Sequence, residues 1–120
     1  MIFALVALAG GIGAVVRYLV DRLVAGRWAG PFPLGTLVVN VSGSAAFGAL
    51  VGAIVAGRVA PEALTWGGLG FLGAYTTFST FTFETLRLLE DGAWRHALWN
   101  LLLSGPLSFA AAAAGYLAAR

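Results

Sequence analysis

Four long apolar stretches alternate with three short polar joints along the chain. The stretches run from about Ile2 to Val20, from Leu34 to Ala56, from Ala63 to about Leu89, and from Ala97 to Ala119. A helix needs about 20 mostly apolar residues to cross roughly 30 Å of hydrocarbon, and each stretch has about that length. The joints are Gly26–Pro33, Gly57–Glu62 and Glu90–His96. They hold turn formers, a proline placed near a helix start, and much of the charge. The pattern predicts an all-α membrane protein in which residues 1–120 form one domain of four transmembrane helices, with almost no chain left for an extramembrane unit. The first stretch has no basic segment ahead of it and Arg17 interrupts its far end, so it reads as a retained span rather than a signal peptide.

Composition sharpens this picture. Of the 120 residues, 60% are hydrophobic and only 10% charged, and mean hydropathy is +0.91. Soluble domains run near 45–50% apolar and ~25% charged, and disordered chains are more polar still. There is no cysteine, which removes disulfides, thiolate catalysis and Cys-ligated metals. One histidine gives no basis for a clustered metal or haem site. Seven arginines against five acids leave a net charge of +2, too small and scattered for a nucleic-acid surface. Arg22, Arg27, Arg87 and Arg95 fall on one side of the predicted membrane, and Arg58 and Arg120 on the other. That is a modest bias toward termini outside, compatible with insertion in both orientations. Trp28, Trp66, Trp94 and Trp99 stand near span ends, as interfacial anchors do, with packing the equal alternative for Trp66 and Trp99.

Four helices make a bundle with little room for a polar route through its centre, so transport would call for a second copy. Seventeen glycines favour close helix approach. Gly48 and Gly52 form one small-residue pair, and Gly10, Gly13 and Ala14 form a small face on the first span. Each serves either packing within the chain or a seam to a second copy.

Polar residues inside hydrocarbon are costly and face protein or a watery path. Asn40 on the second span is either interhelical glue or an amide donor facing an anion. The third span sets four glycines (Gly67, Gly68, Gly70, Gly73) before a hydroxyl-rich tract, Thr76-Thr77-Phe78-Ser79-Thr80-Phe81-Thr82. Glycine and threonine both disfavour helix, so the sequence predicts a mid-membrane break across Gly73 to Thr77. Freed carbonyls at such a depth suit a cation. Phe78 and Phe81, three apart, share a helix face; they are either a packing pair or two positive ring edges for a small anion. Asn100, Ser104 and Ser108 form a stripe at four-residue steps, with serine bonding to its own preceding turn as the alternative. Pro106 lies between them and predicts a kink or a freed carbonyl. Arg17 and Glu84 are the deep charges, able to snorkel or to pair.

Over essentially its full length the chain resembles the Fluc (CrcB) family of fluoride channels. The resemblance rests on Gly10-Gly11-Ile12-Gly13-Ala14-Val15-Val16-Arg17-Tyr18, on Gly35-Thr36-Leu37-Val38-Val39-Asn40-Val41-Ser42-Gly43, and on Gly70 to Phe81, where Thr-Thr-Phe-Ser-Thr-Phe is the most diagnostic run. It implies a four-helix subunit with a broken third helix, inserted in both orientations and paired as an antiparallel homodimer with two fluoride paths. It implies a structural Na+ on the dimer axis, held by backbone carbonyls of Gly73 and Thr76. It places Phe78, Phe81 and Asn40 along the fluoride path, together with Ser79 and Thr80 of the same tract. The polar track of the last helix falls on Asn100, Ser104 and Ser108, with Asn100 standing where a tyrosine is expected. The implied activity is passive fluoride export across a prokaryotic plasma (inner) membrane, giving fluoride resistance, with no enzymatic step. Pairing with a paralogue is the alternative to a homodimer.

Two other functions compete. A small dual-topology drug/proton antiporter needs an acidic residue deep in the first span, and the deep ionisable group there is Arg17. A non-transporting membrane assembly protein or enzyme subunit predicts no ion flux, and an intramembrane enzyme would need a Ser/Lys, paired-Asp or HExxH constellation that the chain lacks.

Overall fold

The computed structural model describes all residues, Met1–Arg120, and every regular element is helical. In chain order they are α1 (Ile2–Ala25), α2 (Leu34–Val55), a π-helix (Leu64–Leu72), α3 (Gly73–Tyr75), α4 (Ser79–Glu90) and α5 (Trp94–Ala119). Three of them, α1, α2 and α5, are long and apolar enough to cross a membrane. The apolar stretch from Ala63 to Leu89 is shared among three shorter elements instead. Turn chemistry ends the helices where the sequence places it. Gly57, just past α2, and Gly92, just past α4, both take positive φ (70° and 75°), the left-handed conformation that stops a helix without a Cβ clash. Pro106 does not end α5, which runs through it. Its missing N–H leaves the Leu102 carbonyl without the usual helical donor.

Glycine sets how the helices meet. A Cβ at Gly48 would sit 1.9 Å from the Ala112 carbonyl oxygen, one at Gly52 2.4 Å from that of Tyr116, and one at Gly115 2.1 Å from that of Ala45. These three weld α2 to α5, backbone against backbone. On the other side of the molecule, a Cβ at Gly13 would lie 2.3 Å from the Phe71 carbonyl oxygen, and one at Gly70 3.1 Å from that of Val6. These join α1 to the π-helix. Both small-residue faces read from the sequence are therefore occupied within the chain.

A small core of Val39, Leu72 and Tyr75, flanked by Val16, Val20, Leu50 and Phe71, sits where α1, α2 and the interrupted segment converge. Only 18 of 120 residues are buried, while Phe3, Leu8, Leu69 and Phe109 stand out of the surface. An exterior so apolar requires lipid or another protein around it. All four tryptophans are exposed. The first and third joints meet at one end, where Trp28, Pro31, Arg87 and Asp91 border a common cavity of about 460 Å³. At the other end Arg58 Nη1 donates to the Ala119 carbonyl (3.2 Å), bringing the second joint to the C-terminus.

Candidate functional site

The unusual backbone lies midway along the stretch from Ala63 to Leu89. The glycines there do not unwind the chain. They let it wind as a wider π-helix, in which the Gly73 N–H reaches back five residues to the Gly68 carbonyl. Short π segments are rare and concentrate at functional sites. Winding then tightens through Gly73–Tyr75 and stops. Thr76 is extended (φ −77°, ψ 159°), and helix resumes at Ser79. The interruption thus falls at Thr76–Phe78, later than the glycine-to-threonine composition suggests. Up to Thr76 the helical bond is still made: its N–H and its Oγ1 both reach the Leu72 carbonyl, each at 3.0 Å.

Asn40 on α2 marks where the helix ends. Its Oδ1 accepts the Thr77 N–H and its Nδ2 donates to the Thr77 carbonyl, both at 2.8 Å. An α-helix would send that N–H to Gly73. Three residues on, the Thr80 N–H goes to Thr77 Oγ1 (3.1 Å) rather than to the Thr76 carbonyl. The carbonyls of Gly73 and Thr76 are left with no hydrogen bond. Two further contacts hold the segment on α2. Tyr75 Oη and Ser42 Oγ share a hydrogen bond of 2.8 Å. Gly43 admits Thr76 so closely that a Cβ would lie 2.4 Å from Thr76 Cγ2. By accepting the Thr80 N–H, Thr77 Oγ1 does for α4 what a serine or threonine cap does for an ordinary helix, and it also donates to Thr80 Oγ1 (3.0 Å).

The interruption opens onto a groove of about 360 Å³ between α2, α4 and α5. Asn40, Thr76, Phe78, Phe81, Ser104 and Ser108 all border it, gathered from three separate stretches of sequence. The rings of Phe78 and Phe81 lie 5.9 Å apart at 42°, tilted rather than stacked. Phe78 is 78% exposed, so the groove is unwalled on that side. Gly73 lies outside it, bordering a neighbouring cavity of about 290 Å³, and Thr76 and Ser44 border both.

Other residues read as candidates fall elsewhere. Asn100 is fully enclosed (0% exposed) and does not border this groove. It donates through Nδ2 to Thr85 Oγ1 (2.8 Å) and accepts at Oδ1 from Ser104 Oγ (3.2 Å), while Thr85 Oγ1 donates to the Phe81 carbonyl (2.8 Å). This chain of bonds ties the groove-facing Ser104 to the backbone that carries Phe81. Thr80 borders a different cavity, of about 170 Å³, with Thr77, Thr36, Arg17 and Asp21. Ser79 is exposed, its Oγ 3.4 Å from Thr77 Oγ1. Arg17 and Glu84 line different cavities, and Glu84 Oε2 is buried with no hydrogen-bond partner. Sequence reasoning missed Thr77 and Thr85 as site residues. The signal for Thr77 was its place three residues before Thr80, the spacing of a helix cap. Thr85 offered only the i−4 back-bond available to any helical threonine.

Comparison with known proteins bears on this geometry. Residues 4–116 match the family model described as CrcB-like protein, Camphor Resistance (CrcB). The chain is 54% identical over 101 residues to a protein of Nocardia farcinica named fluoride-specific ion channel FluC 1, covering 84% of this chain and 68% of that one. It is 51% identical over 110 residues to FluC 2 of Mycolicibacterium paratuberculosis, which bears the same channel name, covering 92% and 87% of the two chains. A Shewanella frigidimarina protein named fluoride-specific ion channel FluC is 47% identical over 100 residues, covering 83% and 81%. With this match along its length and three membrane-length apolar helices, the chain is a multi-pass integral membrane protein and belongs to the CrcB-like family.

Proposed function

We propose that this protein is a fluoride-selective channel that lets fluoride leave the cell passively, down its electrochemical gradient, and so confers fluoride resistance. The observation that carries the reading is the groove in which Asn40, Phe78, Phe81, Ser104 and Ser108 come together. Its relatives' names supply the ion. Fluoride is small and strongly hydrated, so a path must replace much of its water with donors while holding it loosely enough to leave. Asn40 keeps one Nδ2–H beyond the bond it makes to Thr77, since a carboxamide has two. Ser108 adds a hydroxyl. Ser104 directs its proton to Asn100, so it offers the ion a proton only by turning its hydroxyl. The tilted phenyl rings supply weakly positive edges without a full charge, which attract an anion and release it. Ser79, exposed at the start of α4, and Thr80, in the neighbouring cavity beside Arg17, would meet the ion outside the groove, beyond the rings.

Freed backbone cannot face hydrocarbon, and the carbonyls of Gly73 and Thr76 are freed. Oxygen donors of this kind fit a sodium ion, as unwound helices do in other membrane proteins. Held there, Na+ would neutralise the carbonyl dipoles and add fixed positive charge beside the anion groove. Two carbonyls from each of two symmetry-related chains would give four ligands on a two-fold axis. The proposed assembly is an antiparallel, dual-topology homodimer of four-span subunits in the prokaryotic inner membrane, each third span broken at Thr76–Phe78, with two pores. The unwalled groove at Phe78 and the shallow arginine asymmetry both suit it, and a paralogue in place of the second copy would serve the same geometry.

The test is fluoride efflux from liposomes carrying the purified protein, followed with a fluoride electrode, with chloride efflux as the control. Fast fluoride release with chloride retained is the expected result. No flux, or equal flux of both halides, refutes the proposal.

A further inference from the structure

We propose that Asn40 is the positioning residue that frees the Gly73 carbonyl for the cation, by withdrawing the Thr77 N–H from it, and thereby makes the sodium site and the anion groove one unit. The inference rests on the sodium reading above and goes beyond its ligands. Asn40 is 37 residues from Thr77 in sequence, yet it meets both polar groups of that residue's backbone at 2.8 Å. A side-chain amide has the same donor and acceptor as a peptide group, so it replaces the helical partner of Thr77 on equal terms. The partner it displaces is the Gly73 carbonyl. Without Asn40, the helical acceptor for the Thr77 N–H is the Gly73 carbonyl one turn back, reached if the extended Thr76 rewinds into the helix.

The register of α2 makes this selective. Val39, next to Asn40, is 1% exposed and anchored in the core. Ser42 holds Tyr75, Gly43 seats Thr76, and Asn40 takes Thr77, so three contacts on α2 meet three consecutive residues. Only the last of them removes a hydrogen bond from the helix. The carbonyl it liberates belongs to Gly73, bordering one cavity, and the amide that liberates it borders the other. Asn40 is therefore a builder of the cation site without being its ligand.

The experiment compares the melting temperature of detergent-purified protein in sodium chloride and in N-methyl-D-glucamine chloride, for wild type, Asn40→Leu and Asn40→Asp. Wild type is expected to melt higher in sodium. Asn40→Leu accepts nothing from Thr77 and is expected to lose that sodium-dependent difference. Asn40→Asp keeps the acceptor and is expected to retain most of it. A merely structural role would lower all melting temperatures and leave the difference intact. A second measurement needs no variant: carbonyl-¹³C-labelled Gly73 in wild type is expected to shift on addition of sodium, with the Thr77 amide protected from hydrogen exchange both with and without it. A wild type indifferent to sodium, an Asn40→Leu protein with an undiminished difference, or an exchange-exposed Thr77 amide overturns the inference. Fluoride efflux from wild-type protein separates the two readings. Wild type that conducts fluoride but shows no sodium-dependent melting refutes this inference alone, and wild type that responds to sodium but passes no fluoride refutes the channel alone.

Discussion

Replacing Gly48 with alanine tests the weld between α2 and α5 that holds the groove. The new Cβ would lie 1.9 Å from the Ala112 carbonyl oxygen and 2.7 Å from its carbonyl carbon, where ordinary contact begins at 3.4 Å. Both offending atoms are backbone, so no side chain can swing aside. The helices must part, and Gly52 and Gly115, which pack as closely on the same seam, part with them. Overpacking of this sort costs about 1–3 kcal/mol. The upper value applies here because relief requires moving a whole helix; about 3 kcal/mol is roughly a hundredfold shift in the folding equilibrium. Asn40 rides on α2, and Ser104 and Ser108 ride on α5, so separation also widens the groove between them. Gly48→Ala is expected to lower the melting temperature in detergent by several degrees and to raise chloride leak relative to fluoride efflux. Gly11→Ala is the control, since nothing lies within 4 Å of its Cβ, and it should melt no lower than wild type. A Gly48→Ala protein with wild-type melting and wild-type halide discrimination would refute the argument that glycine contacts set the groove's width.

Two further outcomes are expected. Phe78→Ile together with Phe81→Ile removes both ring edges while keeping apolar bulk, and should cut fluoride efflux by at least tenfold in the electrode assay; unchanged efflux would mean that the rings only pack. Asn100→Leu strands Ser104 and takes a donor from Thr85 in a site that is 0% exposed, which should cost about 1–3 kcal/mol, seen as a lower denaturation midpoint; Asn100→Asp, which keeps the acceptor for Ser104, should recover part of the loss.

The amino-acid sequence by itself determined the membrane character of this protein. Apolar length and net transfer energy are properties of a stretch, independent of what it touches, so the runs at Ile2, Leu34 and Ala97 appear as long helices whatever their neighbours do. Turn chemistry is equally local, and Gly57 and Gly92 end their helices without tertiary help. Asn40, Phe78, Phe81, Ser104 and Ser108 were legible as candidates because polar and aromatic groups on membrane helices are few. Tertiary structure decided the rest. Composition marks Gly73–Thr77 as weakly helical, but the stop comes at Thr76 because Asn40, on another helix, captures the next N–H. The glycine runs wind as a π-helix and press on α1 because a chain without Cβ atoms takes whichever path gives the closest backbone contact. Asn100 sits on the same stripe as Ser104 and Ser108, yet it turns inward, because Thr85 on α4 offers its amide a partner that lipid cannot. Hydrogen bonds in hydrocarbon are decided by which partner is near, and nearness between distant residues is what a one-dimensional pattern leaves out.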